Sequence, residues 1–272
     1  MAGAWDEPLD VARLREELGQ PAAGGSMWTD LRIVGETGST NEDVSKLAAD
    51  GAAEGLVLAT EWQTAGRGRQ GRAWQTAPTG ALTFSVLLRP APVPQQARGW
   101  VPLITGIAAV TAVRLVTGVD ARLKWPNDVM AGGRKLAGIL AEQCGDAIVV
   151  GTGINVLARG ALVDAATATS LEESGARPGD RNRLLAEILR QLEARYLAWR
   201  ATGNGDPAAT GLREEYLSLC STVGCPVRVQ LPGNRLLAGT ATGVDGAGQL
   251  LVRPDATGYD VAVSAGDVIH VR

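Results

Sequence analysis

The pattern of apolar residues changes abruptly near Val223, and this change constrains the fold more than any other feature of the sequence. Upstream of it, runs typical of strands alternate with patterns typical of helices. From Val223 onwards apolar residues recur at every second position, and no helical pattern is found. Turn signals such as Pro232-Gly233 and Asp245-Gly246 divide these runs, as in a series of short strands. The sequence therefore predicts a separate, five-stranded small barrel over 223–272.

Residues 31–222 are predicted to form one α+β domain, and residues 1–30 an N-terminal helix followed by a connector. Ser39 and Glu42 have the spacing of a capping box at the start of a helix. The predicted strands are 31–37, 55–62, 81–89, 121–124, 136–143 and 147–157, and the predicted helices of this domain are 41–49, 100–118, 181–200 and 207–219.

Composition argues against several classes of protein. With 45% hydrophobic and 20% charged residues, the chain is too apolar and too weakly charged to be disordered. A net charge of −3 argues against extensive nucleic-acid binding, which normally requires a basic domain. The longest apolar run, Val101 to Val113, is too short for a membrane span, and the acidic N-terminus lacks the apolar core of a secretory signal. The expected location is the cytoplasm.

The sequence also argues against chemistry that depends on histidine or cysteine. The only histidine is His270, so neither a zinc site nor a Ser-His-Asp triad is expected, and the three cysteines lack metal-binding spacing. Among 26 basic residues only Lys46, Lys124 and Lys135 are lysines. Where arginine supplies almost all of the positive charge, a lysine indicates a position that needs an ammonium. The alternative is that three lysines are too few for their positions to carry functional meaning.

The densest functional signal is the segment 64–74, in which Gly66, Gly68 and Gly71 alternate with three arginines. Glycine lets the backbone approach a ligand and point its N–H groups at an anion, and arginine supplies paired donors for carboxylate or phosphate. The glycines also match the dinucleotide fingerprint G-x-G-x-x-G, but Trp74 and a polar loop follow where that fingerprint needs a helix. An Arg/Gly-rich nucleic-acid tail is a further alternative, although such tails are repetitive and are not flanked by strands. An anion-binding loop is favoured.

Three more segments carry polar or glycine residues at the ends of predicted strands. Asn127 and Asp128 follow Pro126 at a predicted turn. A carboxylate beside an amide suits Mg²⁺, but the same two residues also suit an ordinary Asx turn. This segment taken alone favours the Asx turn. Lys135 opens an apolar strand, and its ammonium either meets a carboxylate or phosphate or remains in solvent. The glycines of 151–155 indicate either a bulge or a backbone approached closely by a flat ligand.

Together these segments resemble the catalytic domain of biotin protein ligases. The family patterns are an STN turn, a GRGR-x-GR loop, KWPND, KLAGIL and the strand end G-x-G-I-N. Here they stand in the same order at 39–41, 66–72, 124–128, 135–140 and 151–155. Each motif alone is weak, but the ordered set is specific, and the resemblance covers 31–272. It implies an α+β fold: a mixed sheet with helices on one face, of the class II synthetase and lipoyl-biotin ligase type, followed by an SH3-like barrel.

The resemblance implies a two-step reaction. The biotin carboxylate attacks the α-phosphorus of ATP, giving biotinyl-5′-AMP and pyrophosphate, and the amine of an acceptor lysine then attacks the acyl carbon and AMP leaves. Biotin and ATP are the implied substrates, Mg²⁺ is the implied activator, and the implied acceptor is the biotin carboxyl carrier domain of an acyl-CoA carboxylase. Such chemistry needs no enzyme nucleophile, so the protein must supply positioning and charge stabilisation.

The resemblance also assigns residues to the site. Lys135, Arg67 and Arg69 are expected to act in catalysis at the carboxylate and the phosphates. The implied biotin-binding residues are Ser39, Thr40, Asn41, Gln63, Arg67, Gly68, Arg69, Lys135, Gly138 and Gly153; the implied nucleotide-binding residues are Arg69, Trp74, Asn127, Lys135 and Asn155; and Asp128 is the implied metal ligand. For Trp74, stacking on a ligand and ordinary loop packing are equally favoured.

Two departures from the family pattern limit what is carried over. Some members have an N-terminal helix-turn-helix domain and repress transcription, whereas only residues 1–30 precede the resemblance here, so no specific DNA binding is expected. The loop has Gln70 where a second arginine is common, so no charge is assigned there. The competing functions are a lipoate or octanoate ligase with the same fold and a non-catalytic ligand-binding module. A monomer or weak dimer is expected.

Overall fold

The computed structural model describes residues 4–18, 26–158, 166–231, 235–256, 258–264 and 267–270. The strands among these residues are β1 Asp30–Thr37, β2 Leu56–Gln63, β3 Ala81–Leu88, β4 Ala121–Lys124, β5 Asp128–Ala131, β6 Arg134–Cys144, β7 Ala147–Asn155, β8 Pro226–Leu231, β9 Arg235–Val244, β10 Leu250–Arg253, β11 Val261–Val263 and β12 Asp267–His270. The α-helices are α1 Val11–Leu18, α2 Thr40–Ala49, α3 Trp100–Thr117, α4 Arg181–Ala201 and α5 Leu212–Leu219. All the predicted elements upstream of the barrel are found, and β5 is an addition to them.

The first seven strands form one sheet in the order β1-β2-β3-β7-β6-β5-β4. β1 and β2 run parallel, and the other neighbouring pairs of this sheet run antiparallel. The predicted mixed sheet is thus confirmed. The turn predicted at Asn127 and Asp128 is shorter than expected, because Asp128 already begins β5. A second tight turn at Gly132-Gly133 then returns the chain into β6.

Helices cover both faces of this sheet. On one face α3 packs against α4, with α1 beside α4, over a large core that includes Trp100, Ile107 and Tyr196. α2 packs on the opposite face, where Val44 belongs to a separate cluster with Leu58 of β2 and neighbouring residues of β3 and β7. The expectation of helices on one face is therefore incomplete. The central strands are apolar on both sides, and each side needs a cover.

α3 is the central core helix. With the turn before it, the segment Gln95–Thr117 is long and apolar enough to cross a membrane by length and composition, which corrects the expectation of a run that is too short. The structure buries 67% of its most apolar stretch inside the protein, as in a core helix that is hydrophobic on all sides. The helix ends at Thr117, and the residue that follows it, Gly118, has a φ of 75°, which suits glycine.

The predicted capping box at the start of α2 does not form. Ser39 occupies the N-cap position in an extended conformation, but its side chain makes no capping hydrogen bond. Gln63 Oε1 instead accepts a hydrogen bond from the Thr40 N–H at 2.8 Å. The start of α2 is therefore tied to the end of β2, which brings two predicted site segments together.

The last five strands form a second, antiparallel sheet in the order β11-β10-β9-β8-β12, in agreement with the predicted SH3-like barrel. The predicted turn at Asp245-Gly246 joins β9 to β10, whereas the one at Pro232-Gly233 lies outside the described residues. Two indole N–H groups, one at the start of α3 and one in the turn between β4 and β5, bind the β9–β10 turn. Trp100 Nε1 donates to the Asp245 carbonyl at 3.0 Å, and Trp125 Nε1 donates to the Gly248 carbonyl at 3.1 Å.

Candidate active site

A cavity of about 450 Å³ lies on the α2 side of the mixed sheet. This volume is in the range of small-molecule sites. All fourteen residues assigned to the site from the sequence line it: Ser39, Thr40, Asn41, Gln63, Arg67, Gly68, Arg69, Trp74, Asn127, Asp128, Lys135, Gly138, Gly153 and Asn155. Five motifs that are distant in the sequence therefore meet at one place.

The floor of the cavity follows one row of residues that are paired across neighbouring strands. Residues paired directly in a sheet place their side chains on the same face. The row consists of Thr83, Gly153, Gly138, Asp128 and Lys124. Two glycines therefore lie between a hydroxyl group at one end and two charged side chains at the other.

A β-bulge places Lys135 beside this row. The pairing of β5 with β6 shifts by one residue, so that Leu136 is an additional residue in β6. In a regular strand Lys135 and Gly138, three positions apart, would face opposite sides, but the bulge brings them to the same side. Lys135 Nζ lies 2.5 Å from Asp128 Oδ1. The ammonium predicted at the reaction centre thus has a carboxylate partner in the ligand-free protein.

The start of α2 fixes the orientation of the Gln63 side-chain amide. Gln63 Oε1 lies 2.8 Å from the Thr40 backbone nitrogen and 3.0 Å from the Thr40 hydroxyl. Because a backbone N–H can only donate, the amide oxygen must face Thr40 and Nε2 must face away from it. Gln63, Thr40 and the neighbouring Ser39 are all buried. Gln63 therefore presents a donor on this side of the cavity.

Two residues that were not predicted hold Asn41 in place. Asn41 Nδ2 donates to Glu142 Oε2 at 2.7 Å and to the Leu140 carbonyl at 3.2 Å, and Asn41 Oδ1 accepts from the Ser85 hydroxyl at 2.6 Å. Both amide hydrogens are used within the protein, so only the carbonyl oxygen can meet a ligand N–H. Alternation along β3 and β6 is the one sequence signal that places Ser85 and Glu142 on the cavity side.

The segment 64–74 forms a short hairpin at one side of the cavity. The Gly68 N–H donates to the Arg72 carbonyl at 2.7 Å, and the Trp74 N–H donates to the Gly66 carbonyl at 2.9 Å. Gln70 near its tip has a positive φ of 57° and is exposed. The position where a second arginine is common in the family is thus directed away from the cavity, of which Gln70 is not a lining residue.

The two predicted catalytic arginines take different positions. Arg69 Nη1 donates to Asn127 Oδ1 at 3.1 Å, and Asn127 Nδ2 in turn donates to the Ile139 carbonyl at 3.0 Å. Arg69 is thereby held against the KWPND segment across the cavity. Arg67 is exposed, and its Nη2 lies 4.0 Å from Glu42 Oε2, so its guanidinium stands at the mouth of the cavity.

Trp74 and Asn155 complete the walls. The Trp74 indole lies against Gly138 and Gly153, and Lys135 Nζ is 5.9 Å from the ring centroid. Asn155 is buried at the end of β7, where its Nδ2 donates to the Thr169 carbonyl at 2.9 Å. The G-x-G-I-N segment thus contributes both to the floor and to one wall.

Asp128 is suited to a metal shared with phosphates, whereas Asn127 is already engaged. Mg²⁺ is commonly bound through one or two carboxylates together with substrate phosphates and water. Asp128 retains the carboxylate oxygen that does not face Lys135, but the Asn127 amide is bonded to Arg69 and Ile139. Within the described ranges no group of three His, Cys, Asp or Glu side chains could hold a metal ion. The residues therefore fit Mg²⁺ that arrives with phosphates.

The barrel also reaches the cavity, which the sequence did not predict because a period-two pattern indicates strands without showing what they face. Its contribution consists of Gln230, Val268 and Ile269. Close by, His270 Nε2 lies 3.2 Å from Thr222 Oγ1. Burial and the positive charge of Lys124 lower the pKa of His270, so the imidazole is neutral at pH 7 and adds no charge beside the floor row.

Known proteins are similar to this chain over almost its whole length. Residues 36–157 match the biotin/lipoate A/B protein ligase family. A biotin–[acetyl-CoA-carboxylase] ligase of Mycobacterium tuberculosis is 44% identical over 97% of both chains. The bifunctional ligase/repressor BirA of Escherichia coli is 33% identical over 92% of this chain and 75% of its own. The structure of biotin protein ligase from Aquifex aeolicus in complex with biotin and ATP superposes with a TM-score of 0.74 and 27% identity, covering 90% of this chain and 99% of that one.

Proposed function

The chain belongs to the biotin/lipoate A/B protein ligase family, and we propose that it uses ATP to join biotin to a lysine of the biotin carboxyl carrier domain of an acyl-CoA carboxylase. The intermediate of this reaction is biotinyl-5′-AMP. The observation that carries the proposal is the meeting of Lys135, the arginine loop and the polar start of α2 around one glycine floor. The activity named for the Mycobacterium relative supports it.

The α2 side of the cavity suits the ureido ring of biotin. That ring has one carbonyl oxygen, which needs a donor, and two N–H groups, which need acceptors. Gln63 Nε2 is an oriented donor, while Asn41 Oδ1 and the hydroxyl of Ser39 are able to accept. A buried site built to bond polar groups rejects analogues that leave those groups unpaired. This end of the cavity therefore gives specificity for biotin.

In the first step a carboxylate oxygen of biotin attacks the α-phosphorus of ATP, and the bond between that phosphorus and the pyrophosphate oxygen breaks. Two anions must approach each other, so the step needs positive charge close to the reacting atoms. Lys135, beside Asp128, and Arg69, held by Asn127, supply that charge. Both groups are in place before the substrates bind, which reduces the reorganisation required during the reaction.

In the second step the neutral amine of the acceptor lysine attacks the acyl carbon. The bond from that carbon to the phosphate oxygen breaks, AMP leaves as an anion, and the amine passes one proton to solvent water. Lys135 and Arg69 stabilise the departing phosphate. The acceptor protein approaches through the mouth of the cavity, which is bordered by Arg67 and by Ile269 of the barrel.

Mg²⁺ is the proposed activator, and Asp128 is the residue that would share it with the phosphates. When bound, the ion offsets negative charge on the triphosphate and favours departure of pyrophosphate. Asn127 contributes indirectly, because its side chain orients Arg69.

Exchange of labelled pyrophosphate into ATP tests the proposed function. Biotin should support exchange, and lipoate or octanoate should not. Exchange with lipoate but not with biotin would show a lipoate ligase instead. The absence of exchange, together with salt-sensitive retention of DNA or RNA, would indicate a non-catalytic module that uses its arginine loop for phosphates.

We further propose a cytoplasmic location, a monomer or weak dimer and no specific DNA binding. A net charge of −3 supports the last of these. The division into residues 1–30, 31–222 and 223–272 also remains a proposal, supported by the separate sheets of the catalytic region and the barrel.

A further inference from the structure

The end of β2 is not paired with β3, although the two strands are neighbours in the sheet. In the part of the chain that the structure describes, β2 pairs with β3 from Val57 to Thr60, whereas it pairs with the edge strand β1 as far as Gln63. The Thr79 N–H donates to the Glu61 carbonyl at 3.0 Å, but Thr79 lies before β3. The position of Gln63 relative to β3 therefore depends on contacts other than the strand ladder.

The guanidinium of Arg181 joins β2 to β3 where their ladder stops. Arg181 Nη1 donates to the carbonyl of Ala81, the first residue of β3, at 3.3 Å and lies 2.7 Å from Glu61 Oε2. The Arg181 side chain is fully buried, and that of Glu61 is 17% exposed. A planar guanidinium bonds several acceptors in fixed directions, which a compact ammonium does not. Arg181 thus links the end of β2 to the start of β3 in place of the missing ladder.

Arg181 is poorly placed for the helix that carries it. It is the first residue of α4, where the helix dipole disfavours a positive charge. Its Nε has no hydrogen-bond partner among the described residues, and a buried charge is costly unless it is paired. The strands that Arg181 joins, rather than its own helix, therefore explain why an arginine stands at this position.

The N-terminal segment 7–10 binds both partners of this ion pair. The Leu9 N–H donates to Glu61 Oε1 at 2.6 Å, and Arg181 Nη2 donates to the Glu7 carbonyl at 2.8 Å. Removal from water strengthens an electrostatic interaction, so this cover strengthens the link between the strands. No motif in the sequence indicated the contact, because segment 7–10 precedes the region of family resemblance.

We propose that Glu61 and Arg181 are positioning residues for biotin that act through Gln63. They hold the end of β2 against β3, so that the Nε2 donor of Gln63 meets the carbonyl oxygen of the ureido ring. Neither residue of the pair lines the cavity. This inference rests on the proposed function and deepens it, because it makes recognition of the ureido ring depend on an ion pair outside the cavity and on the N-terminal segment that covers the pair.

The variant Arg181→Lys tests this role in the full-length enzyme. Lysine keeps a positive charge beside Glu61 but lacks the planar fork that also reaches Ala81. The Kd for biotin, measured by calorimetry, should rise about tenfold, as for the loss of one well-placed hydrogen bond. The KM for ATP in pyrophosphate exchange at saturating biotin should change by less than about twofold. Arg200→Lys is the matched control, because Arg200 also lies on α4 and pairs with a glutamate, Glu54, which precedes the other end of β2. Its Kd for biotin should equal that of the wild type.

A double-mutant cycle separates action through Gln63 from a general loss of stability. In the Gln63→Ala background the donor is absent, so Arg181→Lys should raise the Kd for biotin by less than about twofold. An unchanged Kd in Arg181→Lys alone, an equal rise in both backgrounds, or a comparable rise in the KM for ATP would overturn the proposal. If Arg181→Lys does not fold, Asn182→Ala replaces it in the same cycle. Asn182 Nδ2 donates to the Pro8 carbonyl at 3.1 Å, so its loss loosens the covering segment without touching the ion pair. Wild-type enzyme that binds no biotin would instead contradict the proposed function.

Discussion

Replacing Lys135 by alanine separates its contribution to catalysis from its contribution to stability. Two unit charges about 4 Å apart interact by about 4 kcal/mol at an effective dielectric constant of ~20. The Lys135 side chain is 34% exposed, so solvent weakens this interaction somewhat. Loss of one preorganised group of this kind typically lowers the rate by about 10²- to 10³-fold. We expect a decrease of that size in biotin-dependent pyrophosphate exchange by Lys135→Ala.

Stability should change much less than the rate. The partner of Lys135 is Asp128, whose side chain is 23% exposed, and a partly exposed ion pair contributes up to about 1 kcal/mol. For a protein of this size the midpoint of thermal unfolding should fall by less than about 4 °C. A calorimetric scan with and without biotin shows whether the variant is folded and still binds biotin.

Lys46→Ala is the matched control for Lys135→Ala. Lys46 is also a lysine paired with a carboxylate, since its Nζ lies 2.9 Å from Glu42 Oε1, but it is exposed on the surface of α2. It should exchange pyrophosphate at the wild-type rate. If Lys135→Ala retains more than about a tenth of the wild-type exchange rate, the charge of Lys135 does not stabilise the first step and the assignment is refuted.

Three further predictions concern the cavity and its surroundings. Gln63→Glu keeps an oxygen for the Thr40 N–H but loses the Nε2 donor, so calorimetry should show biotin binding weakened about 10- to 100-fold, and an unchanged affinity would contradict the donor assignment. Arg69→Ala removes a bond across the cavity, so adenylate should appear in solution and label lysines of a bystander protein; if transfer remains confined to the acceptor, the loop does not retain the intermediate. Because burial and Lys124 lower the pKa of folded His270, the unfolded chain binds a proton first as the pH falls below about 6.5, so stability is retained above that pH and lost below it. His270→Gln should flatten the decline of the unfolding temperature between about pH 7 and pH 5, and an identical decline would show that His270 does not cause it.

Much of the fold could be predicted because the sequence patterns are local. The period-two pattern after Val223 predicts strands wherever they pack, and the barrel has the predicted number of them. The helices at 100–118 and 181–200 are long enough for their apolar patterns to distinguish a helix from a strand. Short elements were less predictable. β5 has four residues between two tight turns, too few for a pattern to distinguish it from the turn itself.

The site motifs could be found from the sequence, but their internal contacts could not. Ser85 and Glu142 resemble ordinary strand residues until folding places them beside Asn41. The capping-box prediction was wrong for a similar reason. The spacing of Ser39 and Glu42 suggests a local hydrogen bond at the start of α2, but Gln63, more than twenty positions away, accepts a hydrogen bond from the first helical N–H group instead. Such long-range contacts depend on the register between strands, and the spacing of residues within one segment carries no information about that register.

The row of paired residues across the sheet also has a consequence for strand register. If β6 slipped by one position against its neighbours, its side chains would exchange faces, and Lys135 would point into the apolar core below α3. An unpaired ammonium there is strongly unfavourable, whereas the correct pairing places it beside Asp128. A sheet in the shifted register is therefore less stable than the native one. Lys135, which is proposed to bring two anions together, thus also stabilises the strand pairing on which its own position depends.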